Sequence, residues 1–221
     1  MPPKLEAVVF DLDGTLVDSL GDFHHAATVM LDSLGLEEIS RDELKGFIGN
    51  GQELFIARCL VRAGASLTAN QLATATTTFE KAYDGAKGRF TKLYPGISSL
   101  LEALQLNGVK IGLCTNRPVV RAQSILEAVG VLQFFNVIAG FETTPRPKPD
   151  PGPILYCLNE IGVEAHHALF VGDSHVDAIA AKEAHVEFAF HTGGFGTLGS
   201  EYAHMMISDF KRFEVLQLLE R

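Results

Sequence analysis

From Pro95-Gly96 onward the chain alternates short apolar runs with helical segments, and no other feature narrows its fold as far. Val109 to Cys114 is an apolar run, and Pro118 to Val129 reads as a helix with proline in its first turn. Asn136 to Ala139 is a short strand candidate, and Pro153 to Ile161 reads as a helix. Ala168 to Val171 follows as a strand, Val176 to Ala184 as a helix and Val186 to Phe190 as a last strand. Apolar strands connected by helices predict an α/β fold, a Rossmann-like parallel sheet covered by helices on both faces. In such sheets ligands bind beyond the carboxyl ends of the strands, so polar residues just after each strand take the functional reading first.

One further strand lies far upstream. Ala7-Val8-Val9-Phe10 has the length and composition of a buried strand, and it runs into Asp11-Leu12-Asp13-Gly14-Thr15. Side chains two apart on extended backbone share a face, so Asp11 and Asp13 reach toward one small volume. Two carboxylates that close raise one another's pKa unless a cation or a division of labour separates them, so the pair is a metal site, an acid/base couple or both. Between about Asp18 and Gly88 there is no convincing strand. The segment reads as amphipathic helices punctuated by Gly35, Gly49-Asn50-Gly51 and Gly64. Leu54, Cys59, Leu60 and Val61 give a partial helical stripe, and Ser40 with Glu43 offers a capping box. We therefore expect a helical domain over 18–90, inserted after the first strand of a core built from 1–17 and 91–221.

Composition sets outer limits. The chain has 221 residues, 47% hydrophobic and 20% charged, enough to bury a core and ordinary for a globular protein. A formal net charge of −9 argues against nucleic acid or an anionic membrane as a general partner, though not against a small anionic substrate. Cys59, Cys114 and Cys157 are odd in number and far apart, which favours reduced thiols in a cytoplasmic protein. No apolar segment approaches the roughly 20 residues of a membrane helix, and the N-terminal run is too short for a signal peptide. A monomer or homodimer is the expected state.

The strand ends supply a coherent set. Asp11 and Asp13 follow the first strand, Thr115-Asn116-Arg117 the second, and Gly172-Asp173-Ser174-His175-Val176-Asp177 the strand at Leu169-Phe170-Val171. Lys148 lies between them in the proline-rich segment Pro145 to Pro151. Oxygen ligands without a cysteine or histidine cluster favour a hard cation such as Mg²⁺, which suits one to three carboxylates plus water and a phosphate. Thr115, backbone amides and Lys148 are suitable partners for phosphate oxygens. Mg²⁺ and Lys148 would screen a carboxylate attacking a phosphate dianion, and aspartate is a nucleophile in aspartyl-phosphate chemistry. A second aspartate can protonate the leaving alkoxide and later deprotonate water. The residues alone do not divide those roles between Asp11 and Asp13.

Asp11-Leu12-Asp13-Gly14-Thr15, Thr115-Asn116, Lys148 and Gly172-Asp173 to Asp177 resemble, in order, the four motifs of the haloacid dehalogenase superfamily. The helical insertion after the first motif is similar to that family's helical cap. The resemblance implies Asp11 as nucleophile and Asp13 as general acid/base. It implies Thr115 and Lys148 as phosphate ligands, with Lys148 also orienting the nucleophile, and Gly14, Thr15 and Asn116 grouped with them at the substrate. It implies Mg²⁺ held by Asp11, the Asp13 carbonyl oxygen and Asp173, with Asp177 behind. Val17-Asp18-Ser19 and Phe47-Ile48-Gly49-Asn50-Gly51 are similar to phosphoglycolate phosphatases, where Gly49 and Asn50 could meet a substrate carboxylate through free backbone amides. His185 departs from the pattern, since glycine is common there.

The histidines, His24-His25, His166-His167, His175, His185, His191 and His204, match no zinc spacing and read as surface or satisfied interior residues. Gly193 to Gly196 reads as a plain loop, and Arg117 as either a substrate contact or a solvated charge. The expectation is a Mg²⁺-dependent phosphatase of a small phosphorylated metabolite such as phosphoglycolate. A phosphomutase or a phosphosugar, nucleotide or pyrophosphate phosphatase could use the same core. A dehalogenase, or a binding protein without turnover, ranks lower.

Overall fold

The computed structural model describes residues 5–49, 51–86 and 88–212. Ala7–Phe10 (β1) is central to a parallel sheet that also contains Lys110–Cys114 (β4), Val137–Ala139 (β5), Ala168–Gly172 (β6), Glu187–His191 (β7) and Met205–Ile207 (β8). The strand order is β5-β4-β1-β6-β7-β8. Val186 to Phe190 was expected to end the sheet, but β8 pairs beyond it; a three-residue edge strand carries too little periodic signal to read.

Strand alternation assigns the two faces. Val8 and Phe10 point to the side covered by Ile97–Leu106 (α5) and Val119–Ala128 (α6). Ala7 and Val9 point to the side covered by Gly152–Ile161 (α7) and His175–Glu183 (α8). Because both faces are covered, every β1 residue is fully buried and the run is apolar throughout. From β1 the chain builds outward through β4 to β5, then crosses back to β6. The direction of winding therefore reverses between β1 and β6, which opens a crevice at their carboxyl ends.

Leu20–Ser33 (α1), Arg41–Lys45 (α2), Gln52–Arg62 (α3) and Ala69–Ala86 (α4) gather a separate apolar cluster around Met30, Phe55, Ile56 and Phe79. Each buried aromatic there contributes roughly 2–3 kcal/mol of transfer free energy. The stripe expected on α3 is rotated: Leu54 and Val61 are exposed, and Phe55, Ile56, Cys59 and Leu60 face inward. Ser40 and Glu43 do form a capping box at α2. The chain enters and leaves this bundle through a two-stranded antiparallel ribbon, Val17–Asp18 (β2) against Lys92–Leu93 (β3). Asp22 on α1 accepts from the Phe90 N–H at 3.0 Å and from the Thr91 hydroxyl, which ties the entering strand's helix to the returning chain.

Candidate active site

The crevice collects the residues that follow β1, β4, β5 and β6. The Asp11 N–H donates to Val171 O at 2.8 Å, extending the β1–β6 ladder by one residue and fixing where the carboxylate emerges. Thr115 does the same on the other side, donating to Ala139 O at 2.9 Å. Asn116 clamps the distant loop: its Oδ1 accepts from the Lys148 N–H and its Nδ2 donates to Lys148 O, both at 3.0 Å. Held that way, Lys148 is buried and sends its Nζ to Asp11 Oδ1 at 2.7 Å and to Asp177 Oδ1 at 2.6 Å.

Asp177 has a second task. Ser174 caps α8, and Asp177 sits at the third helical position of a capping box: its Oδ2 accepts from the Ser174 hydroxyl at 2.6 Å and the Ser174 N–H at 3.1 Å. One Asp177 oxygen thus organises the helix start and the other holds Lys148. Asp173 is oriented from the Gly193 to Gly196 segment, where the Phe195 and Gly196 N–H groups donate to its Oδ2 at 2.7 and 3.0 Å. That segment is therefore part of the site, not the plain loop expected. A Cβ on Gly194 would collide with Asp173 and with Gly14 O, and one on Gly14 (φ +80°) would collide with the Asp173 carboxylate. Two glycines let both loops close around one aspartate, a role that glycine spacing alone does not reveal.

Asp11, Asp173 and Asp177 offer oxygens that all lie within 4.8 Å of one another, and all three are buried. Burial pushes the Asp11 carboxyl well above the usual range; Lys148 opposes this, while Asp177, Asp173 and Asp13 add to it. Burial and the neighbouring Asp177 push Asp173 up to about 7, although the Gly196 and Phe195 amides pull it back. Burial works against the Lys148 ammonium, but Asp11 and Asp177 together outweigh it and keep the group protonated. Carboxylates crowded this far out of water fit a bound cation of the oxygen-loving kind.

Arg117 is not the solvated charge that is one of its two sequence readings; it lines the cavity. It is buried, and its Nε and Nη2 grip both oxygens of Asp13, Nη2 at 2.5 Å, while the Ser19 hydroxyl donates to Asp13 Oδ1. The guanidinium lies 4.7 Å from the Phe23 ring centre on α1 and 5.0 Å from that of Tyr83 on α4. Its remaining direction is taken by the Tyr83 hydroxyl.

All this lines a cavity of about 380 Å³ walled by the sheet's carboxyl edge and the helical bundle. Asp11, Asp13, Thr115, Asn116, Lys148, Asp173 and Asp177 line it from below, and Gly49, Gln52, Glu53, Glu80 and Tyr83 from above. Asn50 lies outside the described residues. Gly14 and Thr15, grouped with the substrate contacts, sit behind the wall: the Gly14 N–H donates to Val17 O at 2.9 Å, and Thr15 is fully buried with its hydroxyl unpartnered. His175 is exposed at the start of α8. His191 is interior, its Nδ1 2.7 Å from Gly14 O, and burial depresses its pKa. His185 has a φ of 55°, which explains why glycine suits that position.

The family model for haloacid dehalogenase-like hydrolases matches residues 8–191. A phosphoglycolate phosphatase of Cereibacter sphaeroides is 39% identical over 191 residues, 86% of this chain and 87% of that protein. Phosphoglycolate phosphatase 1 of Pseudomonas aeruginosa is 37% identical over 197 residues, 87% of this chain and 71% of its own length. The crystal structure of a predicted phosphoglycolate phosphatase from Haemophilus somnus superposes with a TM-score of 0.91 at 29% identity, covering 97% of each chain.

Proposed function

The chain belongs to the haloacid dehalogenase-like hydrolases, and from that premise we propose that it hydrolyses a small phosphate monoester, 2-phosphoglycolate foremost, with Mg²⁺ as its cation and through an aspartyl-phosphate. The observation that carries the reading is Asp11 itself, a buried carboxylate ion-paired to Lys148 and facing the cavity with Asp173 and Asp177 beside it.

An Asp11 oxygen attacks phosphorus, a carboxylate O–P bond forms, and the bond from phosphorus to the leaving alkoxide breaks. Asp13 gives that alkoxide its proton, then takes one from a water whose oxygen attacks the aspartyl-phosphate, releasing phosphate and restoring Asp11. To do so Asp13 must exchange its grip on Arg117 for the reacting oxygen. Thr115 and the Lys148 ammonium meet the phosphoryl oxygens, with Asn116 holding Lys148 in place. Mg²⁺, held by Asp11, the Asp13 carbonyl oxygen and Asp173 with Asp177 behind, would neutralise the crowded carboxylates and draw charge from the phosphoryl group. In this reading residues 18–90 are a cap that closes on the core of 1–17 and 91–221, with β2 and β3 as its hinge, so that water is excluded during transfer. The net charge argues against nucleic acid as a partner, and no helix among the described residues is long and apolar enough to cross a membrane. Three buried, unpaired cysteines support a reducing, cytoplasmic setting.

The test is phosphate release over a panel of phosphorylated metabolites, with and without Mg²⁺, for the wild type and Asp11→Asn. Phosphoglycolate should lead, and the variant should release nothing above background. An Asp11→Asn protein with wild-type turnover would overturn the nucleophile assignment, and a requirement for a bisphosphate would point to a mutase.

A further inference from the structure

We infer that Arg121 is the residue that reads a second anionic group on the substrate's leaving alcohol; the inference rests on the phosphatase reading above and adds to it the side chain that selects the substrate. Among the described residues three cations line the cavity, Lys148, Arg117 and Arg121. Lys148 is held between Asp11 and Asp177, on the phosphoryl side. Arg117 is saturated, with two of its nitrogens on Asp13 and the third on the Tyr83 hydroxyl. Arg121 differs. The difference lies in its partners: Nε and Nη2 are on Asp84 of α4 at 2.8 and 3.0 Å and Nη1 is on the neutral amide oxygen of Gln52, so its nitrogens are engaged too, but the Asp84 side chain is 53% exposed and that of Asp13 only 9%. Half in solvent, Asp84 is rehydrated when it lets go, so a carboxylate in the cavity can take its place on Arg121.

Position agrees with availability. Asp13 marks the side on which the leaving oxygen departs. Arg117 grips Asp13 and lies against one side of the Tyr83 ring, and Arg121 lies 5.9 Å from the same ring centre. A group carried by the leaving alcohol therefore extends from Asp13 past Arg117 toward Arg121. The charged residues that the bundle brings to the lining, among those described, are acidic, Glu53 and Glu80, and Gln52 donates to Glu80 at 2.9 Å. Without the Arg121 charge, an anionic substituent would meet repulsion there. With it, the same place discriminates in favour of an anion. Among the described residues the bundle brings no cation to that wall, so the cation comes from the core.

Arg121 also bridges core and bundle, so the experiment must separate reading from latching. Steady-state KM and kcat are measured with 2-phosphoglycolate and with p-nitrophenyl phosphate, which lacks a carboxylate, for the wild type, Arg121→Gln, Arg121→Lys and Asp84→Asn. Arg121→Gln should raise KM for phosphoglycolate on the order of tenfold or more, with little change for the aryl ester. Arg121→Lys should recover part of that loss, and Asp84→Asn should leave the ratio between the two substrates unchanged. Equal losses on both substrates in Arg121→Gln, matched by Asp84→Asn, would show a latch and overturn the assignment. A wild type that releases phosphate from neither ester would overturn the phosphatase reading, and this inference with it.

Discussion

The Nζ of Lys148 lies 2.7 Å from Oδ1 of Asp11, although 137 residues separate them in the chain. The sheet makes this possible, because the loops after β1 and β5 rise from the same edge and Asn116 fastens the Lys148 backbone. Replacing Lys148 with alanine leaves Asp11 and Asp177 buried without their shared cation. Turnover should fall by roughly 10²–10³, as expected when a donor to developing charge is lost. Breaking a buried pair should also cost about 3 kcal/mol of stability. Steady-state kinetics and urea unfolding measure the two effects; a variant that loses stability while keeping its kcat would remove Lys148 from the chemistry.

Gly194→Ala tests the support behind Asp173. The added Cβ meets the Asp173 side chain on one side and Gly14 O on the other, so the carboxylate that accepts the Phe195 and Gly196 amides must shift. Mg²⁺ affinity should weaken about 10–100-fold, the usual cost of disturbing groups that orient a metal ligand. Isothermal titration with Mg²⁺ reads this directly. Unaltered affinity would mean that the loop closes without positioning Asp173.

Asp22→Ala tests the join between the helical bundle and the rest. The Asp22 carboxylate is buried and serves both the Phe90 N–H and the Thr91 hydroxyl, so its removal strands the buried Thr91 hydroxyl and frees the part-buried Phe90 N–H where the chain returns from α4. A loss of about 2–3 kcal/mol is expected. If β2 and β3 are the hinge, KM should rise as well, because the bundle no longer closes in register over the site. A stability loss with unchanged KM would leave Asp22 as a purely structural tie.

The carboxyl edge of the sheet was legible because Asp11, Thr115 and Asp173 each follow a buried apolar strand, and a parallel sheet aims such strand ends at one crevice. Lys148, well beyond the end of β5, needed its proline-rich loop and the family resemblance as well. Arg117 was not legible. Whether a lone arginine after a strand faces solvent or turns inward depends on partners such as Phe23 and Tyr83, which lie far away in sequence and belong to helices whose rotation the pattern left open. The rotated stripe on α3 is the same difficulty: Leu54 and Val61 are apolar yet exposed, and only the packing of α1 against α4 decides which side is inner. The Gly193 to Gly196 loop was missed for another reason. Its contribution is made by backbone amides, which no side-chain motif encodes.

Protons and Mg²⁺ compete for the same carboxylates, and the sign of that competition can be worked out. In the metal-free fold Asp173 is pushed up to about 7, above its ordinary value of 3.8, first by burial and then by Asp177. A group whose folded pKa is raised contributes stability fully below its unfolded value. That contribution is lost as pH climbs toward the folded pKa, because the fold then confines a charge that the unfolded chain would place in water. Metal-free protein should therefore lose stability between about pH 4 and pH 7, with Asp11, raised in the same direction, adding to the loss. Mg²⁺ must displace the proton below that window and finds the site already charged above it, so its affinity should rise with pH up to about 7 and then level off. Thermal melts from pH 5 to pH 8, with and without Mg²⁺, should show a gain in Tm from the metal that is small at pH 5 and largest near pH 8. Asp173→Asn should flatten both curves, since the variant carries no proton for the metal to displace and offers it one ligand fewer. A Mg²⁺ gain that is the same at pH 5 and pH 8 would mean that the cation does not bind at Asp173.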